Sequence, residues 1–121
     1  MAQEIRFSAV LQAIKSGAVV NSGALQGVLD LAGAGMMQQP QSIATSATAL
    51  DLAAVGGAPK KLLIANLDAA NYVEIDSVNT FTNFPQKILA GDVILLSPET
   101  ATIYAKAHTA ACILFVVAVG A

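Results

Sequence analysis

Apolar and polar side chains alternate along much of the chain, beginning near the N-terminus. The stretch EIRFSAVLQAI has a period of two throughout, which is typical of a strand with one buried face. After Ser16-Gly17, the stretch GAVVNSGALQGVLDL continues the alternation, with Leu25 and Leu29 on one face and Gln26, Val28 and Asp30 on the other. The pattern predicts two strands that pair as a hairpin through a turn at Ser16-Gly17.

The next part of the chain interrupts this alternation. The stretch AGAGMMQQPQS contains two glycines and Pro40, and it is interpreted as a loop that carries Met36 and Met37. The stretch SIATSATALDLAAV is typical of either a strand or a short helix. We favour a strand followed by a turn that ends at Gly56-Gly57, because Pro59 excludes a regular helix there.

Short β patterns return in the second half of the chain. They are KKLLIAN, NYVEIDSV, two runs around Ala90-Gly91-Asp92 within KILAGDVILL, TIYAKAHT, and CILFVVAV. The last is continuously apolar, which predicts a central strand buried on both faces. Eight or nine short strands separated by turn residues predict an all-β, antiparallel sandwich of jelly-roll-like form. The length of 121 residues predicts a single domain over 1–121.

Composition narrows the possible partners. The chain is 55% hydrophobic but only 12% charged, where soluble domains carry about 25% charged residues, so much of its surface is expected to be covered by other protein. A net charge of −2, with Lys60-Lys61 as the nearest approach to a basic cluster, predicts binding to neither nucleic acid nor anionic membranes. The longest apolar run is shorter than the ~20 residues of a spanning helix, and the N-terminus does not resemble a signal peptide. A lone Cys112 indicates a reducing compartment such as the cytoplasm.

The stretch NLDAANYVEI concentrates polar side chains at Asn66, Asp68 and Asn71. A metal site, a catalytic pocket and a corner between two strands are all compatible with such a cluster. We favour the corner, because Asn and Asp side chains bond to nearby backbone N–H groups. A calcium loop would need more ligands, a glycine and a distal glutamate.

Other reactive side chains form no recognisable catalytic set. His108 and Cys112 would lie about 13 Å apart on one continuous strand, so a surface histidine and a buried cysteine are expected. Glu74 and Asp76 share a strand face, which is interpreted as solvated. The sequence therefore predicts no enzyme, no cofactor and no metal.

Large apolar residues in predicted loops are candidates for partner contact. They are Met36, Met37, Phe81 and Phe84. Such side chains are hard to bury locally, which favours a partner surface. The alternative, that these loops fold back on the core, remains open at this point.

The order of SIATSATALDL, NLDAANYVEI, ILAGDVILL and IYAKAHTAACILFVV resembles a group of small virion proteins of tailed bacteriophages. In that group an N-L-D-x-x-N-Y-V-x-I run precedes an A-G-D or P-G-E turn and a Y-A-K-A strand. The resemblance covers roughly residues 42–119, and the N-terminal hairpin matches in general character only. Ser77, where the group favours a glycine or an aspartate-rich turn, and the alanine-rich N-terminal third depart from the pattern.

The resemblance implies a structural role without catalysis or a cofactor. The expected function is that of a capsid decoration, or cement, protein of the virion: a homotrimer that bridges neighbouring capsomers of the major capsid protein and is assembled in the host cytoplasm. One alternative is a phage tail protein associated with the tube, baseplate or fibre. Another is a carbohydrate-binding module, which the absence of Trp and the presence of only two Tyr disfavour.

Overall fold

The computed structural model describes residues 4–30, 35–98 and 100–120. The chain divides into two compact units, Met1–Ala32 and Gly33–Ala121, which are described separately. Compactness of a unit does not show that it folds independently, so the single domain over 1–121 stays a prediction. Within the described ranges, no helix is long and apolar enough to cross a membrane.

The first unit is a long antiparallel hairpin, here called the arm (residues 4–30). Its strands are β1 (Glu4–Ala9), β2 (Gln12–Lys15), β3 (Ala18–Asn21) and β4 (Leu25–Asp30), and β1 pairs with β4 while β2 pairs with β3. Ser16 and Gly17 connect β2 to β3 with φ angles of 50° and 84°. Two consecutive positive φ values define the type I′ turn whose twist matches that of a hairpin. The predicted hairpin and its turn are confirmed.

Hydrogen bonds also connect the two sides of the arm between the β1–β4 and β2–β3 ladders, where residues 10–11 and 22–24 are not part of a strand. The Leu11 N–H donates to Ser22 Oγ and the Ser22 N–H donates to Leu11 O, each at 3.0 Å. The Gly23 N–H donates to Asn21 Oδ1 at 2.7 Å. Farther from the tip, Gly27 lies opposite Phe7 in the β1–β4 ladder, and a Cβ at position 27 would come within 3 Å of three Phe7 ring atoms. The ring therefore covers the space that the missing side chain leaves.

The second unit is an antiparallel β-sandwich of two four-stranded sheets. The strands are β5 (Met36–Ile43), β6 (Thr48–Ala49), β7 (Lys61–Asn66), β8 (Val73–Asp76), β9 (Gln86–Ile88), β10 (Val93–Leu96), β11 (Tyr104–Ala107) and β12 (Cys112–Val119), with a 3₁₀ turn at Ala53–Val55. The first sheet has the order β10-β7-β12-β5 and the second has β6-β11-β8-β9. The predicted all-β antiparallel sandwich is confirmed. The described residues form twelve strands instead of eight or nine, partly because the arm is broken at residues 10–11 and 22–24.

Alternate residues of both sheets face each other and form the core. Leu62, Ile64, Leu114 and Val116 of the first sheet are fully buried together with Val73 of the second. Burial at alternate positions is what the sequence pattern predicted for β8 and β11. The core therefore lies between the sheets of the second unit.

The predicted loop around Met36 and Met37 is wrong, because these residues begin strand β5. Proline normally interrupts a ladder, but β5 is an edge strand, and an edge strand can place the proline nitrogen on its unpaired side. Pro40 lies opposite Phe115 of β12 within a continuous eight-residue register. The interpretation of Pro40 as part of a loop failed for that reason.

Strand β12 has the predicted central position, between β7 and β5, but not the predicted burial. Its inward side chains are buried, whereas Phe115, Val117 and Val119 on the outer face are half-buried and Ile113 is 44% exposed. A continuous apolar run thus reflects a sheet whose outer face is also apolar. The expectation of burial on both faces is corrected accordingly.

Gly35 provides a test of the packing at the start of β5. A Cβ at this position would come within 3 Å of the backbone of Val55, and backbone cannot move aside as a flexible side chain can. We expect Gly35→Ala to lower the free energy of unfolding by about 1–3 kcal/mol in urea denaturation followed by circular dichroism. Ser46→Ala, at an exposed position, is the control. Equal stability of the two variants would contradict the described contact.

Candidate interaction site

The corner at residues 66–71 has a structural role, as the sequence predicted. The Asp68 carboxylate accepts hydrogen bonds from the N–H groups of Asn71 at 2.6 Å and Ala70 at 2.9 Å. These bonds, that from Asn71 first, lower the pKa of Asp68 despite partial burial. Thr109 Oγ1 donates to Asn71 Oδ1 and ties the corner to the turn before β12. The polar side chains are thus engaged in shaping the backbone.

Asn66 connects this corner to the neighbouring turn at residues 88–92. It is 1% exposed, and its Nδ2 donates to the carbonyl oxygens of Asn71 and Ile88, both at 2.9 Å. Its Oδ1 accepts from the Asp68 N–H at 3.0 Å. Every polar atom of the side chain therefore has a partner, which is what burial of an amide requires.

His108 and Cys112 lie in different surroundings. His108 is exposed in the turn after β11 and stacks on Tyr72, with ring centroids 4.4 Å apart. Cys112 is buried at the start of β12, where burial first and the nearby Asp68 charge second raise the pKa of its thiol. The expected surface histidine and buried cysteine are confirmed.

The shielding of Cys112 predicts low reactivity. Because burial excludes reagents and the raised pKa disfavours the thiolate, a disulfide-exchange reagent should label the folded protein at least about 100-fold more slowly than the unfolded chain. The measurement is the labelling rate with and without urea. Ser46→Cys, which adds an exposed thiol, is the control for reagent access. Equal rates for Cys112 in the folded and unfolded chain would contradict its burial.

The outer face of the second sheet carries charged and aromatic side chains. Glu74 of β8 lies between its cross-strand partners Lys106 and Lys87. The Lys87 ammonium is 4.5 Å from the centre of the Tyr72 ring, on which His108 also stacks. The ring of Tyr72 is therefore occupied by neighbours and offers no open platform for a sugar.

An apolar cleft opens along one side of the sandwich, between β10 of the first sheet and β8 and β9 of the second. Its volume is about 620 Å³. The wall consists mainly of Ile75, Ile94, Leu96 and Ile103, with Phe84 and Pro98 also lining the space. Ile94 and Leu96 are only partly buried against the core. Cavities of this volume and character are the usual sites for ligands or inserted side chains.

Asp76 at this cleft holds the loop of residues 77–84. Its carboxylate accepts hydrogen bonds from the N–H groups of Ser77 at 2.6 Å, Asn83 at 3.0 Å and Phe84 at 3.1 Å. Burial acts to raise the pKa of Asp76, but the three N–H groups outweigh it, so the pKa is lowered. The expected solvated carboxylate is wrong for Asp76, which is 5% exposed, because the loop folds over it.

Because of these hydrogen bonds, the stability of the folded protein should depend on pH. A carboxyl whose pKa is lowered on folding stabilises the protein above its unfolded pKa of about 3.9, and this contribution disappears as the pH falls through the folded pKa. Asp76→Asn should therefore lower the urea midpoint at pH 7 but much less at pH 3. Asp51→Asn controls for the loss of one exposed carboxylate. A difference from the parent protein that is equal at both pH values would contradict the assigned role.

The four residues predicted to face a partner have different environments. Met36 is 60% exposed on the outer face of β5, and Phe84 is 75% exposed beside the cleft. Met37 packs against the core, and Phe81 is buried with the Lys106 ammonium 4.5 Å from its ring centre. The structure thus groups Phe84 with the cleft and turns Met37 and Phe81 towards the protein itself. The alternative stated above, that these loops fold back on the core, applies to Phe81.

The arm exposes the apolar side chains that sequence analysis missed as candidates. Eight large aliphatic residues in its described part are between 37% and 75% exposed: Val10, Leu11, Ile14, Val19, Val20, Leu25, Val28 and Leu29. The alternation predicts one buried face and one solvated face for these strands. The signal that could have revealed them is the presence of aliphatic residues on both faces of β2 and β3.

Comparisons with known proteins assign no family. No protein-family model matches the chain, and no curated protein matches it. Among solved structures, a "putative ethanolamine utilization protein q" from Salmonella typhimurium is similar, with a TM-score of 0.48 and 11% sequence identity over 97% of this chain and 98% of that chain. At this level of similarity the match assigns no activity.

The predicted virion function is contradicted by this comparison. The matching structure is that of a bacterial protein named for ethanolamine utilization and is not a phage structural protein. The capsid decoration protein, and with it the phage tail alternative, is therefore withdrawn. What remains of that prediction is the all-β sandwich, which the structure shows directly.

Proposed function

We propose that the chain is a non-catalytic, self-associating protein in which the arm is the association element. The observation that carries this proposal is the exposure of eight large aliphatic side chains on a hairpin of only two strands. A two-stranded hairpin is marginally stable alone in water. A partner that covers both its apolar side chains and its strand edges would stabilise it.

The energy available is sufficient for association. Burying a Val, Leu or Ile side chain contributes about 1.5–3 kcal/mol, so the exposed fractions in one arm correspond to about 10 kcal/mol. Two arms that become buried in a dimer would contribute roughly twice that, which exceeds the ~4–15 kcal/mol cost of association.

Charge does not oppose contact between copies. The arm contains Glu4, Arg6, Lys15 and Asp30, which balance to zero, and Arg6 Nε pairs with Glu4 Oε2 at 2.8 Å. Between residues 7 and 29, Lys15 is the only charged residue. Like-charge repulsion, the common defence of exposed strand edges, is therefore weak here. The homotrimer expected from the sequence is one of the small oligomers that this association would form.

The test is the mass of the protein in solution with and without charges on the arm. Ile14 and Val19 are cross-strand partners at the tip, and Ser8 and Gln26 are exposed polar cross-strand partners nearer the base of the arm. We expect light scattering to give an oligomer for the parent protein and for Ser8→Lys/Gln26→Lys. Ile14→Lys/Val19→Lys, which adds the same charge at apolar positions, should give the 12.3 kDa monomer. A monomeric parent protein at about 100 μM would refute self-association in the micromolar range.

A further inference from the structure

We propose that the cleft of the second unit is the acceptor site for the tip of the arm (residues 12–21) of a second copy. One strand of the tip adds to the β10 edge, and Ile14 and Val19 enter the cleft. This inference rests on the proposed self-association and names the surface that receives the arm.

The β10 edge has the geometry that strand addition requires. In the first sheet, β10 pairs with β7 alone among the described residues. A strand with one neighbour leaves the N–H and C=O groups of every second residue available to another strand. β9, which faces the cleft from the second sheet, is likewise an edge strand. The cleft is therefore bordered by backbone groups that an extended segment can bond.

The side chains inside the cleft suit an apolar insert. Ile94 and Leu96 alternate on β10 and point into it, opposite Ile75 and Ile103. A strand added beside β10 would place its own alternate side chains into the same space, since residues i and i+2 share a face. In this mode of recognition the backbone supplies affinity and the pocket selects the side chains.

The tip of the arm has both features: strand edges that can bond to another backbone, and apolar side chains that can enter the pocket. Ile14 of β2 and Val19 of β3 are directly opposite each other, so they project from the same face, and they are 67% and 60% exposed. Each strand of the tip has one partner among the described residues. The type I′ turn presets the tip as a narrow two-stranded element. A small apolar molecule could fill the cleft but would leave the β10 edge unpaired.

Charge does not oppose this contact. Lys15 is the only charged residue of the tip, and because it is adjacent to Ile14 in β2 it projects from the opposite face. Asp76, the only charged residue among the described residues that line the cleft, already accepts hydrogen bonds from its own loop. Donor and acceptor surfaces differ, so the contact is head-to-tail, and a small ring of copies would satisfy every arm and every cleft.

Cysteine pairs test this contact directly. Two chains, one with Val19→Cys at the tip and one with Thr100→Cys at the cleft, are co-expressed and oxidised mildly, so that a disulfide between positions 19 and 100 can form only between copies. Peptide mapping by mass spectrometry identifies the bond. We expect a Val19→Cys to Thr100→Cys disulfide between copies, with a yield at least about tenfold above that of the control pair, because docking raises the effective concentration. The control pairs Val19→Cys with Ser46→Cys, an exposed position that does not line the cleft. Cys112 is buried and is therefore not expected to form a disulfide with the introduced cysteines.

The possible outcomes separate the two proposals. An oligomer in which the Val19→Cys chains link to one another, but not to Thr100→Cys, would show that arms pair with arms; it would overturn the cleft contact and leave self-association intact. An oligomer with no disulfide above the control would overturn the cleft contact as well. A monomer by light scattering would overturn both proposals.

Discussion

Asn66→Asp is expected to lower the free energy of unfolding of the second unit by about 3–5 kcal/mol at pH 7, as an unpaired buried charge does. The substitution keeps the shape of the side chain but replaces the Nδ2 donor with a carboxylate oxygen. That oxygen would face the carbonyl oxygens of Asn71 and Ile88 at the positions where the amide now donates at 2.9 Å. Three acceptors would then meet without a proton between them.

Two further variants distinguish the effect of a buried charge on stability from the effect of the lost hydrogen bonds. Asn66→Ala leaves the same carbonyl groups unpaired without adding a charge, so a loss of about 2–4 kcal/mol is expected. Asn79→Asp makes the same chemical change at an exposed position and should stay within about 0.5 kcal/mol of the parent protein. Urea denaturation at pH 7 measures all three. Acidification should partly rescue Asn66→Asp, because a protonated carboxyl can donate once. An Asn66→Asp protein within 1 kcal/mol of the parent would contradict the described corner.

Leu114→Ala should have an effect of similar size, for a different reason. Leu114 lies in the central strand β12 and is fully buried in the core between the sheets. Removing its side chain loses apolar contacts and leaves a cavity, which typically costs about 2–5 kcal/mol. A unit of this size has a total stability of roughly 4–13 kcal/mol, so the variant should unfold at a much lower urea concentration.

Leu67→Ala is the matched control for this substitution. Leu67 is 59% exposed, and its N–H donates to the Ile113 carbonyl one residue before Leu114. The two leucines therefore lie close together and differ chiefly in burial. We expect a change within about 0.5 kcal/mol for Leu67→Ala. Comparable losses in both variants would show that the core does not lie where the structure places it.

The elements that were predicted correctly depend on neighbours in the sequence. The hairpin turn at Ser16-Gly17 needs two residues with positive φ, and the corner at residues 66–71 is formed by side chains that bond to backbone within three positions. Alternation in β8 and β11 is equally local. Such features are visible in a single sequence because their physical causes lie within a few residues.

The features that were missed depend on long-range pairing. β5 is a strand because β12 supplies a partner for all eight of its residues, and no local pattern in MMQQPQSI announces that partner. The cleft combines Ile75 with Ile94 and Ile103, which are separated by turns and meet only when two sheets pack. Phe81, in the loop of residues 77–84, is buried, and the ammonium of Lys106 from β11 lies 4.5 Å from the centre of its ring. Loop position alone therefore could not distinguish Phe81 from the exposed Phe84.

Pro40 opposes fibre formation along the β5 edge of the first sheet. Cross-β growth needs an unbroken row of N–H and C=O groups on which identical chains stack. On β5, the residue in the middle of that row has no N–H to offer, so an incoming strand would leave one of its own carbonyl groups unpaired. Stacking along this edge is therefore blocked, and concentrated solutions of the folded protein should contain discrete particles and give no amyloid-type dye signal.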